Sequence, residues 1–408
     1  MNVSDKLFDI NWDFTKRFPG LSRSPHWYPG TFPSEVPAAL IEILTVKGDL
    51  VVDPYGGIGT TVFEAVRLGR DAVSVDVNPA AHRISSIMLH VLKWRSQVVL
   101  ITAKMQDVIT DDQAFLTSGQ LGDPVELLEN SFIQPSLKSI IGSINTEDPN
   151  WESLSKWYHP DTLNAIKDFY LKKVRHSEDS DFTRVVRFLI LSASLKALSS
   201  QDKSWGHIAD NVYPKELVKK DLMPMLKMFA KKLDSLIDAI IFDSTSQSRK
   251  MYSIEHNWLD GGIVLDRKVN AIITSPPYAG AIDYHLSQKL TLYLMGRSED
   301  AIKGLSMVEI GARRRRNRLN SEEIWAEQLK SCFTIFANLV EVDGFIAAIM
   351  PHKDSGRSSG TSSIQDALLS QNFFEIFKID RSISQTQARQ SWTSIKRETV
   401  MVFQKHGN

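Results

Sequence analysis

The run from Leu50 to Asp76 constrains this chain more than any other feature. Leu50-Val51-Val52 is a short apolar stretch that ends in Asp53. The glycine turn Gly56-Gly57-Ile58-Gly59 follows, then a helical stretch from Thr60 to Gly69, where the glycine suits a helix end. Ala72-Val73-Ser74-Val75 is a second apolar stretch and ends in Asp76. Strand, turn, helix, strand at this spacing is a βαβ unit, which implies a parallel sheet. Asp53 and Asp76 then stand at the carboxyl ends of adjacent strands, where open α/β sheets hold their ligands.

Three zones differ in texture. Residues 1–82 hold this unit, preceded by a short helix over 34–46 and by the Pro- and aromatic-rich stretch 24–33. Residues 83–249 are almost wholly helical in pattern. Apolar residues recur at three and four, as at Leu217, Leu222, Met225, Phe229, Leu233, Leu236 and Ile240. That is too long for one crossover helix and predicts an inserted helical subdomain. Residues 250–408 resume the alternation. Strands are expected at 251–255, 269–273, 345–350, 374–379 and 399–403, with an amphipathic helix over 322–340. With the first two, this predicts a sheet of seven strands.

Composition removes several classes. Lys plus Arg and Asp plus Glu both number 48, so the net charge is zero and a uniformly basic coat protein is excluded. A local basic patch can still supply the field for a nucleic acid. The single cysteine, Cys332, excludes internal disulfides and cysteine-built zinc clusters. No stretch nears the roughly 18 apolar residues of a membrane span, and residues 1–20 carry no apolar signal core. A soluble, cytoplasmic protein is the expectation.

Two motifs carry chemistry. Asp53-Pro54-Tyr55-Gly56-Gly57-Ile58-Gly59-Thr60-Thr61 joins a strand to a helix through glycines that let backbone approach a ligand. It is not a phosphate loop, having no Gly-Lys-Thr/Ser. It also fails the dinucleotide fingerprint, with Val62 where Gly or Ala belongs. Thr274-Ser275-Pro276-Pro277-Tyr278 closes an apolar strand. Two prolines cannot extend a ladder, and they leave carbonyl oxygens without a competing amide from Pro277. Those oxygens suit an exocyclic amine, and Tyr278 offers a ring for stacking.

Together these motifs resemble the amino-methylating DNA methyltransferases that use S-adenosylmethionine. The Ser275 form of the second motif is similar to the cytosine-N4 branch, whereas the adenine-N6 branch usually has Asp or Asn there. His26-Trp27-Tyr28-Pro29-Gly30-Thr31-Phe32-Pro33 resembles the family segment ahead of the first strand. Asp343-Gly344-Phe345 and Glu398-Thr399-Val400-Met401-Val402-Phe403 look like its last strands. The resemblance covers about residues 20–82 and 250–408.

It implies a Rossmann-like class I methyltransferase fold, seven-stranded and mostly parallel, with a large helical insertion. It implies that Tyr28, Thr31 and Phe32 line the methionine end of the cofactor. Asp53, Gly56, Gly57 and Gly59 would surround its amino-acid part, Asp76 the ribose, and Val77 the adenine. Asn257 stands where the family has a third acid. Ser275, Pro276, Pro277 and Tyr278 would hold the target amine of a flipped-out base in double-stranded DNA. A separately encoded restriction enzyme is the partner such a reading leaves open.

Arg313-Arg314-Arg315-Arg316-Asn317-Arg318 is the densest basic run and falls in a loop over 296–322 expected to meet DNA. A basic run is ordinarily a solvated face; its place after the second motif favours DNA contact. His285 and His352 read as packing residues, and Trp258 as a candidate to pack on adenine. Adenine-N6 methylation, methylation of an RNA base amine, and a DNA-binding regulator with a vestigial cofactor site stay open as rivals.

Overall fold

In the computed structural model, the described residues are 2–14, 24–97, 105–110, 133–199, 213–214, 216–239, 249–315, 317–352, 358–382 and 396–407. An eight-stranded sheet runs through them in the order β3-β4-β2-β1-β5-β6-β8-β7. The strands are β1 (Leu50–Asp53), β2 (Asp71–Asp76), β3 (Ile133–Gln134), β4 (Met251–Glu255), β5 (Val269–Thr274), β6 (Val340–Pro351), β7 (Phe373–Ser382) and β8 (Arg397–Lys405). All neighbours pair in parallel except β8, which runs antiparallel to β6 and β7.

The sheet has eight strands, where the sequence predicts seven. The extra one is β3, an edge strand of two residues within the zone read as wholly helical. It pairs Ile133 with Met251 and Gln134 with Tyr252. Two residues carry no alternation and no length from which a strand can be inferred.

The central strand shows why the core forms as it does. Every residue of β1 is buried, as expected of a parallel strand covered on both faces. Val51 points into one apolar cluster, Leu50 and Val52 into the other. The first cluster lies under the helices of the chain's first two zones: α1 (Val3–Phe8), α2 (Glu35–Leu44), α3 (Thr60–Arg67), α4 (Pro79–Gln97), α5 (Met105–Thr110), α6 (Leu137–Thr146), α7 (Trp151–Ser155), α8 (Pro160–Phe169), α9 (Asp181–Ser199) and α10 (Leu222–Ala239). In the third zone come α11 (Tyr284–Ser287), α12 (Lys289–Leu294), α13 (Glu299–Val308), α14 (Ser321–Leu339) and α15 (Ser358–Leu369). Helices α14 and α15 cover the opposite face of the sheet. The result is a three-layer α/β/α arrangement.

Helix α9 is the centre of the helical layer. Only Asp181 and Lys196 among its residues escape full burial, so it is packed on nearly every side. Its Arg187 is wholly buried and neutralised by Asp179 at 2.5 Å, with carbonyls of Val108 and Lys173 taking further donors. No helix among the described residues is long and apolar enough to cross a membrane.

Candidate active site

The site is built first at the end of β1. The Asp53 carboxylate is 2% exposed. Its Oδ2 accepts from Thr61 Oγ1 at 2.6 Å, and its Oδ1 accepts from Thr274 Oγ1 at 2.7 Å and from the Tyr55 amide at 3.1 Å. One side chain thus ties the end of β1 to the first turn of α3 and to the end of β5. Burial outweighs these bonds and raises its pKa from 3.8 to about 6.

The glycine turn then passes close to its neighbours. A Cβ on Gly56 would lie 2.0 Å from Ser74 Oγ, so only glycine fits against β2. Gly57 has φ +53°, a region that L side chains avoid, and a Cβ there would press on the Tyr28 ring at 3.0 Å. The Gly57 amide donates to Asp76 Oδ2 at 2.8 Å, while the Asn78 amide donates to Oδ1 at 2.8 Å. Each carboxylate oxygen keeps a second lone pair for a ligand hydroxyl. Burial raises the pKa of Asp76.

The aromatic stretch forms the facing wall. Tyr28 covers Gly57 and stacks on Tyr284 with ring centroids 5.9 Å apart. Thr31 Oγ1 donates to the Tyr28 carbonyl at 3.0 Å, and Gln288 Nε2 to the Trp27 carbonyl at 3.1 Å. Glu309, 3% exposed, accepts from the Tyr284 amide at 2.6 Å and contacts His285 Nδ1 at 3.0 Å. His285 Nε2 and Asn78 Nδ2 are buried with no hydrogen-bond partner. Beyond β4, Asn257 Oδ1 accepts from the Leu259 amide at 3.2 Å, and Trp258 Nε1 donates to the Pro54 carbonyl at 2.7 Å.

The second motif sits at the end of β5, beside β1, because Val51 and Val52 pair with Ala271 and Ile272. Ser275 Oγ donates to Tyr278 Oη at 3.1 Å. The Pro277 carbonyl is occupied, accepting from Trp325 Nε1 at 2.8 Å. Pro276 is buried, and its amide nitrogen has no hydrogen to offer.

A cleft open to solvent joins the two motifs. Tyr28, Thr31, Phe32, Asp53, Gly56, Gly57, Asp76, Val77, Asn257, Ser275 and Pro277 all line it. Gly59, Pro276 and Tyr278 do not. Gly59 instead begins α3 with φ +93°. Among the residues of this wall to which sequence reasoning gave no role are Asn78, His256, Tyr284, Val308, Glu309 and Ile310. Trp258, singled out from sequence, lines the cleft, as does His285. Helices α12 and α13 separate Glu309 from His285, so no local pattern announces the pair.

The arginine run is laced to the loop that follows the second motif. The Arg313 amide donates to the Ile282 carbonyl at 3.2 Å and the Arg314 amide to Asp283 Oδ1 at 3.1 Å. Arg314 Nε lies 3.6 Å from the same carboxylate. Arg315 turns inward and donates to the carbonyls of Ser306 and Met307, capping α13. Arg318 is exposed, and Arg316 lies outside the described residues. His352 pairs with Asp380 at 3.0 Å.

Comparison with known proteins bears on the first motif. Residues 2–86 match a family model described as DNA methylase. The Type II methyltransferase M.MjaII of Methanocaldococcus jannaschii is 18% identical over 352 residues, 68% of this chain and 64% of its own. M.MjaI of the same organism is 40% identical over 48 residues, 12% of this chain and 16% of its own. M.BsoBI of Geobacillus stearothermophilus is 23% identical over 296 residues, 69% of this chain and 54% of its own. The chain spans less than two thirds of the length of each. The segment carrying the glycine turn and Asp76 is therefore similar in sequence to DNA methylases of the N6/N4 type.

Proposed function

We propose that this protein transfers a methyl group from S-adenosylmethionine to an exocyclic amine of a flipped-out DNA base, cytosine N4. The observation that carries the reading is the single cleft lined by Asp76 and the glycine turn at one end and by Ser275 and Pro277 at the other. The matches to DNA methylase and to Type II methyltransferases support the substrate class. The class I methyltransferase fold belongs to the same reading. So do residues 83–249 as an insert, and a cytoplasmic enzyme with a separately encoded restriction partner.

The residues fit such a cofactor. Gly56 and Gly57 leave bare backbone where a Cβ would collide with Ser74 or Tyr28. Asn78 Nδ2 and His285 Nε2 are buried polar atoms still wanting partners. Asp76 is assigned the ribose hydroxyls and Val77, with Trp258, the adenine. Tyr28, Thr31 and Phe32 bound the methionine end beside Asp53, Gly56, Gly57 and Gly59, and Asn257 flanks the adenine. When bound, S-adenosylmethionine supplies an electrophilic methyl group.

The chain's own part is to make a poor nucleophile reactive. The lone pair of a base amine is delocalised into its ring. The lone pairs of Ser275 Oγ, which reaches the cleft, bond an amine hydrogen and favour a tetrahedral nitrogen. They also stabilise the positive charge that develops on it. Pro277 and Tyr278 fix the loop that carries them. The exposed Arg318, with Arg313, Arg314 and Arg316 of the basic run, is assigned to the DNA backbone, while Arg315 is taken up in capping α13.

The test is methyl transfer from labelled S-adenosylmethionine to unmodified genomic DNA and bulk RNA, with the labelled nucleoside identified. Label on N4-methylcytosine is expected. Label on adenine reassigns the base, label on RNA alone overturns the substrate, and retention of no cofactor supports a non-catalytic DNA-binding protein.

A further inference from the structure

Ser275 Oγ opens a row of polar contacts that leads away from the cleft and through the sheet. It donates to Tyr278 Oη at 3.1 Å; Tyr278 Oη donates to Glu398 Oε1 at 3.0 Å; Arg381 Nη1 holds Glu398 Oε2 at 2.6 Å. Arg381 Nε is itself fixed on the Trp12 carbonyl at 3.0 Å. Glu398 and Arg381 are 8% and 2% exposed. Of the row, only Ser275 reaches the cleft.

A free serine hydroxyl turns either its hydrogen or a lone pair toward a ligand. This row removes the choice. Burial raises the Glu398 pKa and Arg381 works against it; paired with that guanidinium at 2.6 Å the carboxylate offers lone pairs, so the phenol hydrogen goes to Glu398 and not to the Ile349 carbonyl at 3.4 Å. The phenol oxygen is then an acceptor for the hydrogen of Ser275. Ser275 shows the cleft lone pairs alone.

We propose that Tyr278, Glu398 and Arg381 are positioning residues that make Ser275 a one-way acceptor, so that the site takes a base carrying an amine and rejects one carrying a carbonyl at the same place. Cytosine presents N–H donors there, whereas thymine would set a carbonyl oxygen against the serine lone pairs. The inference rests on the amine-methylating reading above. Absence of label from wild-type protein on any base amine ends that reading and this one together; the variants below test this one alone.

Tyr278→Phe keeps the ring and cuts the row. Turnover should fall about ten- to a hundredfold, below the loss for a directly placed catalytic donor. KM for DNA and Kd for S-adenosylmethionine should stay within twofold. In Glu398→Gln the new amide turns its carbonyl to Arg381 and its NH₂ to Tyr278. The row then reverses and presents the Ser275 hydrogen to the base, so kcat should fall at least as far. Added to Tyr278→Phe, the same substitution should change kcat by less than twofold, because nothing is left to transmit it. The proposal is overturned if Tyr278→Phe turns over within twofold of wild type, or if Glu398→Gln costs the same factor with and without the Tyr278 hydroxyl. Should Glu398→Gln fail to fold by thermal melt, the Tyr278→Phe kcat decides alone.

Discussion

Asp53→Asn isolates the electrostatics of the first motif. In the folded protein burial raises the Asp53 pKa from 3.8 to about 6. Below pH 3.8 the group is protonated in both states and imposes no cost. Between pH 4 and 6 the unfolded chain gives up this proton while the folded chain keeps it, so stability falls as pH rises and levels off above 6. That gap corresponds to about 3 kcal/mol. Asparagine removes the charge and keeps most of the bonding. Its Oδ1 can still accept from Thr274 Oγ1 and the Tyr55 amide, and Thr61 Oγ1 can rotate to accept from the new NH₂. The assay is chemical denaturation of wild type and variant at half-unit steps from pH 4 to 8. The variant should gain on wild type as pH rises, by up to about 3 kcal/mol at pH 7, and the gain should flatten above pH 6. A stability difference independent of pH would refute the reasoning, since every other titrating group is common to both proteins.

Gly56→Ala places a methyl 2.0 Å from Ser74 Oγ and should cost about 1–3 kcal/mol by thermal melt, with Ser74→Ala added restoring part of it. Glu309→Ala strips the Tyr284 amide and His285 Nδ1 of their shared acceptor and should lower stability by about 1–3 kcal/mol for each group left unpaired, read by denaturation. Arg318→Ala should reduce the slope of log K for DNA against log salt by about 0.9, measured by fluorescence anisotropy. Arg315→Ala should leave that slope unchanged and lower the melting temperature, because its guanidinium caps α13.

The readable parts of this protein are those whose cause is local. Residues 50–76 encode their strand, turn, helix and strand within 27 positions, and the structure reproduces each within the usual end effects. Asp53, Gly57, Asp76 and Ser275 could be named because their motifs are contiguous. Glu398 could not be joined to Tyr278, nor Trp325 to Pro277, because 120 and 48 positions separate them and only the sheet brings them together. Arg315 looks like its neighbours in sequence and differs from them by the direction in which its backbone turn aims it. Strand β3 escaped because a two-residue edge strand has no pattern.

The helical zone is also more than an interruption between β2 and β4. Its chain leaves through α4 and returns at β4, which pairs with β2 in full register from Ala72↔Met251 to Asp76↔Glu255, and the zone's own β3 adds an edge strand to β4. The zone also touches the cleft wall. Lys196 at the end of α9 stands 3.0 Å from the centroid of the Trp27 ring, and desolvation lowers its pKa to about 8. Trp27 precedes Tyr28, whose ring covers Gly57. A displacement of α9 therefore reaches the glycine turn through three side chains, Lys196, Trp27 and Tyr28, and one peptide bond. The aromatic stretch holds few regular backbone bonds of its own, so it needs such a support to keep Tyr28 against the turn. The helical layer supplies it from one side, through Lys196, and Gln288 from the other, through the Trp27 carbonyl.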